Sequence, residues 1–494
     1  MAIMSKKEGI RKVQQDIGWA YSDMKWLTDK EAGPASQKRE RLIKILSNKT
    51  KYSFMQNKLH TGRLSPGCLI CGQGSWSCMF INGLCTANCF YCPQDRGIKK
   101  ERSPYAEGVA FDNAKDYIDY IERFNIKGVG FSGGEPMLVL PKLLEFIEKI
   151  RKRFGKVFYL WLYTNGDLVD RNKLNQLKKA GLDEIRFDIS ARDYDLKPVG
   201  LAVDIIKSVA VEIPAIPEDY EKVKNCLARM KRLGVKYLNI HQLLANRFNY
   251  KNYIKRDYTF LHHLGFLPIF ESEITALKLI GFALEHKLNL PINYCSQAYK
   301  DRLQGRGKAL RVASLITEVL EEITGIGYIR QLSLQDSPAN IKKFIRILQE
   351  NNCPKGGWFL NDSETEIFIH SSLLKYKTFG EGNLAVAYFK PEFKTCFCLQ
   401  CAHEPYKEIT LNSHKKVYVK REVVIQNKLT SLAAMRSFQK LFIENIEEKI
   451  VLGDFFKNYK SRTKVGFATM KKELEALMAF KKCEHLESGW PEIY

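Results

Sequence analysis

Apolar positions along this chain recur in two rhythms. Over residues 1 to 60 they fall at helical spacing among many charges, as in KKEGIRKVQQDIGWAYSDMKWL (6–27) and QKRERLIKILSN (37–48), which predicts a helical N-terminal arm. From residue 79 the rhythm changes to short apolar runs alternating with amphipathic stretches of ten or more residues, the pattern of repeated strand-helix units around a parallel sheet. The runs are MFING (79–83), KGVGFSG (127–133), VFYLWLYT (157–164), DEIRFDIS (183–190), SVAVEIPAI (208–216), VKYLNIHQ (235–242) and LPINYCS (290–296). Between them lie AKDYIDYIERF, LPKLLEFIEKIRKRF, RNKLNQLKKAG, YEKVKNCLARMKRLG and ITALKLIGFALEHKL, each with one apolar stripe. Six or seven such units predict an α/β fold, a partial or nearly complete (β/α) barrel, whose chemistry belongs at the C-terminal ends of the strands.

Beyond residue 313 the units stop. ETEIFIHSS, NLAVAYFK and KKVYVKREVVIQNK read as strands and RSFQKLFIENIEEKIVLGDFFKNYK as terminal helices, a small α+β module. The expected division is a helical arm over 1–60, a barrel with a cysteine-rich entry segment over 61–312, and a C-terminal module over 313–494.

Composition narrows the class. With 45% apolar and 12% aromatic residues the chain is neither disordered nor fibrous. Its longest fully apolar run, VFYLWLY, is seven residues, against the roughly 18 to 20 of a membrane helix. The N-terminus has no apolar core of signal-peptide length, so the expectation is a cytoplasmic protein with no membrane partner. The 78 Lys and Arg exceed the 55 Asp and Glu by 23, a balance that suits a polyanionic or acidic partner. A basic bias spread over the whole chain is also the mark of an AT-rich genome.

Thirteen cysteines in a cytosolic chain point away from disulfides and toward metal or cluster ligation. Cys85, Cys89 and Cys92 directly follow the first predicted strand, on the loop leaving the top of the barrel. A closed zinc site takes four protein ligands. A [4Fe-4S] cluster held by three thiolates keeps one iron open for substrate or cofactor. A zinc knuckle with a distant fourth ligand is the alternative. The spacing C-x3-C-x2-C with Tyr91 before the last cysteine resembles the signature of the radical S-adenosylmethionine (SAM) superfamily. FSGGEPM, with Gly133, Gly134 and Glu135, is similar to the family's GGE motif at the end of the second strand, and YTNG, with Asn165, is typical of the third.

The resemblance implies a barrel of the radical SAM type. It also implies a [4Fe-4S] cluster on Cys85, Cys89 and Cys92, with SAM lying against Tyr91, the GGE segment, Asn165, Asp188, Ser190, Glu212 and His241. A strand-end salt bridge is the plainer reading of Asp188 and Glu212. By the same resemblance an electron donor such as ferredoxin or flavodoxin reduces the cluster, SAM is cleaved, and a 5'-deoxyadenosyl radical takes hydrogen from the substrate. Residues 65 to 310 look most like archaeal proteins described as related to pyruvate formate-lyase activating enzyme. That likeness is carried by CLICGQGSWSC, CFYCP, EIPAIPEDYEKV, LNIHQL and INYCSQAYKDRLQGRGK.

Other features exceed a minimal enzyme of that kind. Cys68, Cys71 and Cys78 precede the barrel, and Cys396, Cys398 and Cys401 with His403 lie near the other end; together they suffice for an auxiliary iron-sulfur cluster or a zinc. Tyr294 and Cys295, on the seventh strand, are catalytic candidates beside core packing as the alternative. The helix Tyr299 to Arg311 is strongly basic, a solvated face or an anion site. The favoured function is modification of a macromolecule, a protein residue ahead of an RNA base, by radical activation or C-methylation, with cobalamin as a further cofactor if the methyl group travels that way. A metal-stabilised nucleic-acid-binding protein without turnover is the competing class.

Overall fold

The computed structural model describes residues 18–95, 102–262, 266–377, 382–395, 405–458 and 464–489. The seven apolar runs are seven strands: β1 (Trp76–Asn82), β2 (Gly128–Gly133), β3 (Tyr159–Thr164), β4 (Glu184–Phe187), β5 (Ser208–Pro214), β6 (Tyr237–His241) and β7 (Ile292–Cys295). They pair in parallel in chain order, Val129 against Leu160, Leu162 against Ile185, Val211 against Leu238 and Ile240 against Tyr294. Their near-continuous apolar character follows from burial on both faces, since crossover helices cover a parallel sheet. These are α1 (Ala114–Arg123), α2 (Leu140–Phe154), α3 (Arg171–Ala180), α4 (Lys197–Val203), α5 (Tyr220–Leu233) and α6 (Phe270–Glu285). Asn113 and Asp170 cap α1 and α3 by accepting backbone N–H bonds in the first turn.

The sheet keeps two edges, so the barrel is partial. Antiparallel strands Tyr105–Ala106 and Val109–Ala110 extend it beyond β1, and Lys58–His60 with Lys51–Ser53 extend it beyond β7. This corrects the helical reading of residues 1–60. The arm is helical over Asp29–Ser47, but Lys58–His60 is a buried strand set antiparallel to β7, with His60 opposite Asn293. The basic stretch after β7 is also no uniform helix. A π-helical turn occupies Lys300–Gly305, followed by a helix over Arg306–Ile316.

The chain forms two compact units, one built round β1–β7 and running to Gly305 with Thr410–Val417 and Ser488–Gly489, the other comprising described residues of 306–409 and 418–487. The second contains an antiparallel sheet in which Ile329–Gln335 lies between Glu366–Ile369 and Asn383–Phe393. Helices Pro338–Glu350, Leu432–Phe442 and Lys464–Glu484 supply Phe344, Phe438, Leu477 and Phe480 to its core with Leu332 and Val386. Among the described residues no helix is long and apolar enough to cross a membrane.

Candidate functional site

The three closely spaced cysteines lie on the loop leaving the C-terminal end of β1, where that sheet edge gathers its polar groups. Cys85 is exposed, Cys89 and Cys92 partly so, and the Cys92 N–H closes a turn on the Cys89 carbonyl at 3.1 Å. The Ala87 N–H points at the Cys85 sulphur from 3.4 Å. Burial raises the Cys85 thiol and pushes Cys89 up to about 11. Among the described residues no three His, Cys, Asp or Glu side chains stand close enough to hold one ion.

Beside this loop, Gly133 and Gly134 bring β2 against β1. Gly133 has φ of +129°, and a Cβ on Gly134 would fall 1.8 Å from the Leu84 carbonyl oxygen. The Gly134 N–H bonds Asn82 O at 3.1 Å and the Glu135 N–H bonds Leu84 O at 2.6 Å. The Glu135 carboxylate, fully buried, turns toward β3, accepting from Thr164 Oγ1 at 2.9 Å, Asn165 N at 2.8 Å and Met137 N at 3.0 Å. Burial outweighs these bonds and raises its pKa. Asn165 closes the circuit, donating to Thr86 Oγ1 at 2.9 Å with Cys85 Sγ at 3.9 Å.

Tyr91, Asp188 and Ser190 form a second group. The Tyr91 hydroxyl donates to Asp188 Oδ2 at 2.9 Å and lies 2.6 Å from Ser190 Oγ, tying the cysteine loop to the end of β4. Burial raises both the Asp188 carboxyl and the Tyr91 phenol. Three asparagines that the sequence reading passed over hold the same loop by its backbone. Asn246, Asn249 and Asn252 donate to the carbonyls of Pro93, Tyr91 and Phe90 at 2.8, 3.0 and 2.9 Å. Their spacing of three in NRFNYKN was the available signal.

Glu212 stands apart from that group. Its carboxylate accepts from Arg186 Nη1 at 2.9 Å and Asn239 Nδ2 at 2.8 Å, and meets His241 Nε2 at 2.7 Å. Burial opposes its charge, but Arg186 and His241 hold the carboxyl well below the usual range. His241 is lowered, by burial first and by Lys300 next. Arg186 also bonds Glu184 and, through Nη2, Ser65 Oγ at 3.1 Å.

The remaining cysteines divide. Cys396, Cys398, Cys401 and His403 lie outside the described residues. Cys68 and Cys71 are on the helix Pro66–Gly72. Cys68 Sγ is 3.6 Å from Asn239 Oδ1 and 3.7 Å from Asn293 Nδ2, and Cys71 accepts from Gln304 Nε2 at 2.7 Å. Burial pushes Cys71 and Cys78 up to about 12. Cys295, the catalytic candidate on β7, is buried, and Lys58 Nζ reaches its sulphur at 2.9 Å. Tyr294 beside it is 1% exposed, at home in the core.

Comparison with known proteins follows the same lines. The radical SAM superfamily profile matches residues 79–252. A protein of Methanocaldococcus jannaschii, provisionally named a glycyl-radical enzyme activating enzyme, is 32% identical over 307 residues, which is 58% of this chain and 78% of that one. Among solved structures, Escherichia coli coproporphyrinogen III oxidase, described as a radical SAM enzyme, aligns over 79% of this chain and 82% of its own at 8% identity and a TM-score of 0.30. Streptococcus suis SuiB, bound to the precursor peptide SuiA, aligns over 46% and 49% at 12% identity and a TM-score of 0.31. With the superfamily profile spanning β1 to β6 and with over three quarters of the archaeal relative covered at 32% identity, the chain belongs to the radical SAM superfamily of enzymes, whose cofactors are SAM and a [4Fe-4S] cluster.

Proposed function

We propose that this protein holds the cluster on Cys85, Cys89 and Cys92 and modifies a residue of a protein substrate. The observation that carries the assignment is the loop itself: three reachable thiols at the C-terminal edge of the sheet, joined by hydrogen bonds to the ends of β2, β3 and β4. These residues fit the group. Three thiols match a cluster with one open iron, and the Ala87 N–H already aimed at Cys85 sulphur would stabilise a thiolate there. When bound, the two cofactors supply one-electron cleavage of a carbon-sulphur bond and a radical able to take hydrogen. The chain's own work is positional. Glu135 and Thr164 fix Asn165 against the loop, Tyr91 latches the loop to Asp188, and the asparagines hold its carbonyls.

A protein substrate is favoured because the archaeal relative's name places it among enzymes that activate other enzymes. An RNA base is the second reading, drawn from the surplus of 23 positive charges. The test is anaerobic reconstitution, followed by deuterium transfer into 5'-deoxyadenosine from cell fractions treated with ribonuclease or protease. Transfer lost to protease and spared by ribonuclease is the expected result. A protein that binds no iron and releases no 5'-deoxyadenosine under reductant overturns the proposal. Metal analysis of the same sample tests the auxiliary site proposed for Cys68, Cys71, Cys78, Cys396, Cys398 and Cys401, which predicts metal beyond the four irons. Added methylcobalamin tests the methyl-transfer branch.

A further inference from the structure

The segment after β6, from Asn246 to Arg256, carries Arg247, Lys251, Lys255 and Arg256 and no carboxylate. Its helix, Tyr250–Ile254, turns Tyr250 and Tyr253 into the core, at 9% and 0% exposure, while all four cations stay in solvent. Phe248 joins them at 40% exposure, with the Arg247 guanidinium 4.7 Å from its ring centre. Little of this charge is answered. Asp257, next in the chain, pairs with Lys25 at 2.6 Å, and Glu218 meets Arg256 only at 3.6 Å while accepting from the Tyr258 hydroxyl. Arg247, Lys251 and Lys255 form no ion pair with a described residue.

A run of cations is ordinarily a solvated face, but this one is joined to the cysteine loop. Its asparagines hold the carbonyls of Pro93, Tyr91 and Phe90, and the Arg256 guanidinium lies 3.6 Å from the centre of the Phe90 ring. That ring also meets Tyr253 edge to face, with centres 6.0 Å apart, and it follows Cys89 directly in the chain. The loop is thus bracketed. The Thr86 and Tyr91 side chains reach the ends of β3 and β4, while the carbonyls face the basic segment. A protein seated on Arg256 reaches Cys89 through the adjacent Phe90 side chain. Electron tunnelling falls steeply with distance, so an electron carrier gains from that closeness, whereas a substrate has to reach the strand ends. Nucleic acid is a poorer match, because the tyrosines are buried and the asparagine amides are committed to the loop, which leaves Phe248 alone to stack on a base.

We propose that Arg247, Lys251, Lys255 and Arg256, with Phe248, form the docking surface for a small acidic one-electron carrier protein. The carrier is oxidised by one electron as the cluster is reduced by one. This rests on the reading that Cys85, Cys89 and Cys92 hold the cluster. Opposite charge across such a surface chiefly speeds association, and salt screens it. The probe is a small acidic [4Fe-4S] ferredoxin added to the full-length reconstituted protein. Calorimetry reads the affinity of the oxidised ferredoxin, and freeze-quenched electron paramagnetic resonance reads the rate at which the reduced form reduces the cluster. Lys251→Glu with Lys255→Glu should weaken binding and slow that reduction by about tenfold or more at low salt, the gap closing as salt rises. Reduction by dithionite, iron content and melting temperature should match the wild type, and Lys251→Arg with Lys255→Arg should keep the ferredoxin rate. Equal ferredoxin rates in wild type and the double glutamate variant overturn the inference, as does an equal slowing with dithionite or equal binding of a redox-inert acidic protein of matched charge. If the variant instead loses affinity for a single-stranded RNA oligonucleotide, or loses dithionite-driven deuterium transfer from the protein fraction, while ferredoxin rates stand, the surface belongs to RNA or to the substrate and the inference falls. No iron in the wild type, or no 5'-deoxyadenosine with dithionite, overturns the proposed function; both present with a ferredoxin rate indifferent to the variant overturns only the docking surface.

Discussion

Replacing Gly134 with alanine introduces a methyl group between two backbones that already touch. The new Cβ would stand 1.8 Å from the Leu84 oxygen, 2.4 Å from its carbonyl carbon and 3.0 Å from the Gly83 carbonyl carbon. No flexible side chain is there to yield, so restoring a tolerable contact means parting β2 from the start of the cysteine loop by about 1.2 Å. That movement strains or breaks the Glu135 N–H bond to Leu84 O and the Gly134 N–H bond to Asn82 O. Overpacking costs about 1–3 kcal/mol and each lost bond about 0.5–1.5 kcal/mol, so the expected loss is roughly 2–6 kcal/mol. Gly453→Ala is the control. Gly453 is exposed on the helix Glu448–Asn458 with nothing beyond its chain neighbours and its own helix backbone within 4 Å of its Cβ position, and the change should stabilise by about 0.5–1 kcal/mol. Scanning calorimetry and iron content after a chelator challenge read both effects. The reasoning is refuted if Gly134→Ala melts with the wild type and keeps its iron as long.

Three further changes test other parts of the site. Arg186→Met leaves Glu184 and Glu212 buried without their cation and should cost about 3–5 kcal/mol in denaturant unfolding; a loss under about 1 kcal/mol would contradict the ion-pair assignment. The folded-state pKa of Glu212 is depressed. Its contribution is therefore present above the unfolded carboxyl value of about 4.3, and lost as pH falls below that value toward the folded one. Melting of Glu212→Gln should accordingly fall less steeply than wild type between about pH 4 and pH 2, and parallel acid slopes would rule this out. Asn252→Asp keeps the side chain's size but replaces the donor to the Phe90 carbonyl with an acceptor, and should speed chelator removal of iron several-fold. Unchanged release kinetics would show that this bond does not hold the loop.

The strand-helix alternation was legible because each element buries one apolar set, and the seven strands fall within the seven apolar runs or a few residues of them. The cysteine loop was legible for a different reason: its three cysteines fall within eight positions of the sequence. What escaped depends on distant partners. Lys58 opens a three-residue strand, KLH, whose letters look polar; its burial depends on Cys295 and Tyr299, more than 230 positions away. Ile329–Gln335 escaped because Arg330 and Ser333 are buried beside its apolar residues, Arg330 against Glu484, and this blurs the alternation a strand would show. Glu212 was legible as a polar strand-end residue, but its position in the sequence does not reveal that Arg186, Asn239 and His241 occupy it.

The backbone of the cysteine loop is gripped by three asparagine amides, groups that neither gain nor lose a proton across the working range. The Tyr91 bond to Asp188 is of the other kind, because its acceptor is a carboxyl that burial raises. The loop thus hangs from two sorts of tether, one indifferent to acidity and one that acid can loosen, so a fall in pH would free its Tyr91 side while the asparagine side holds.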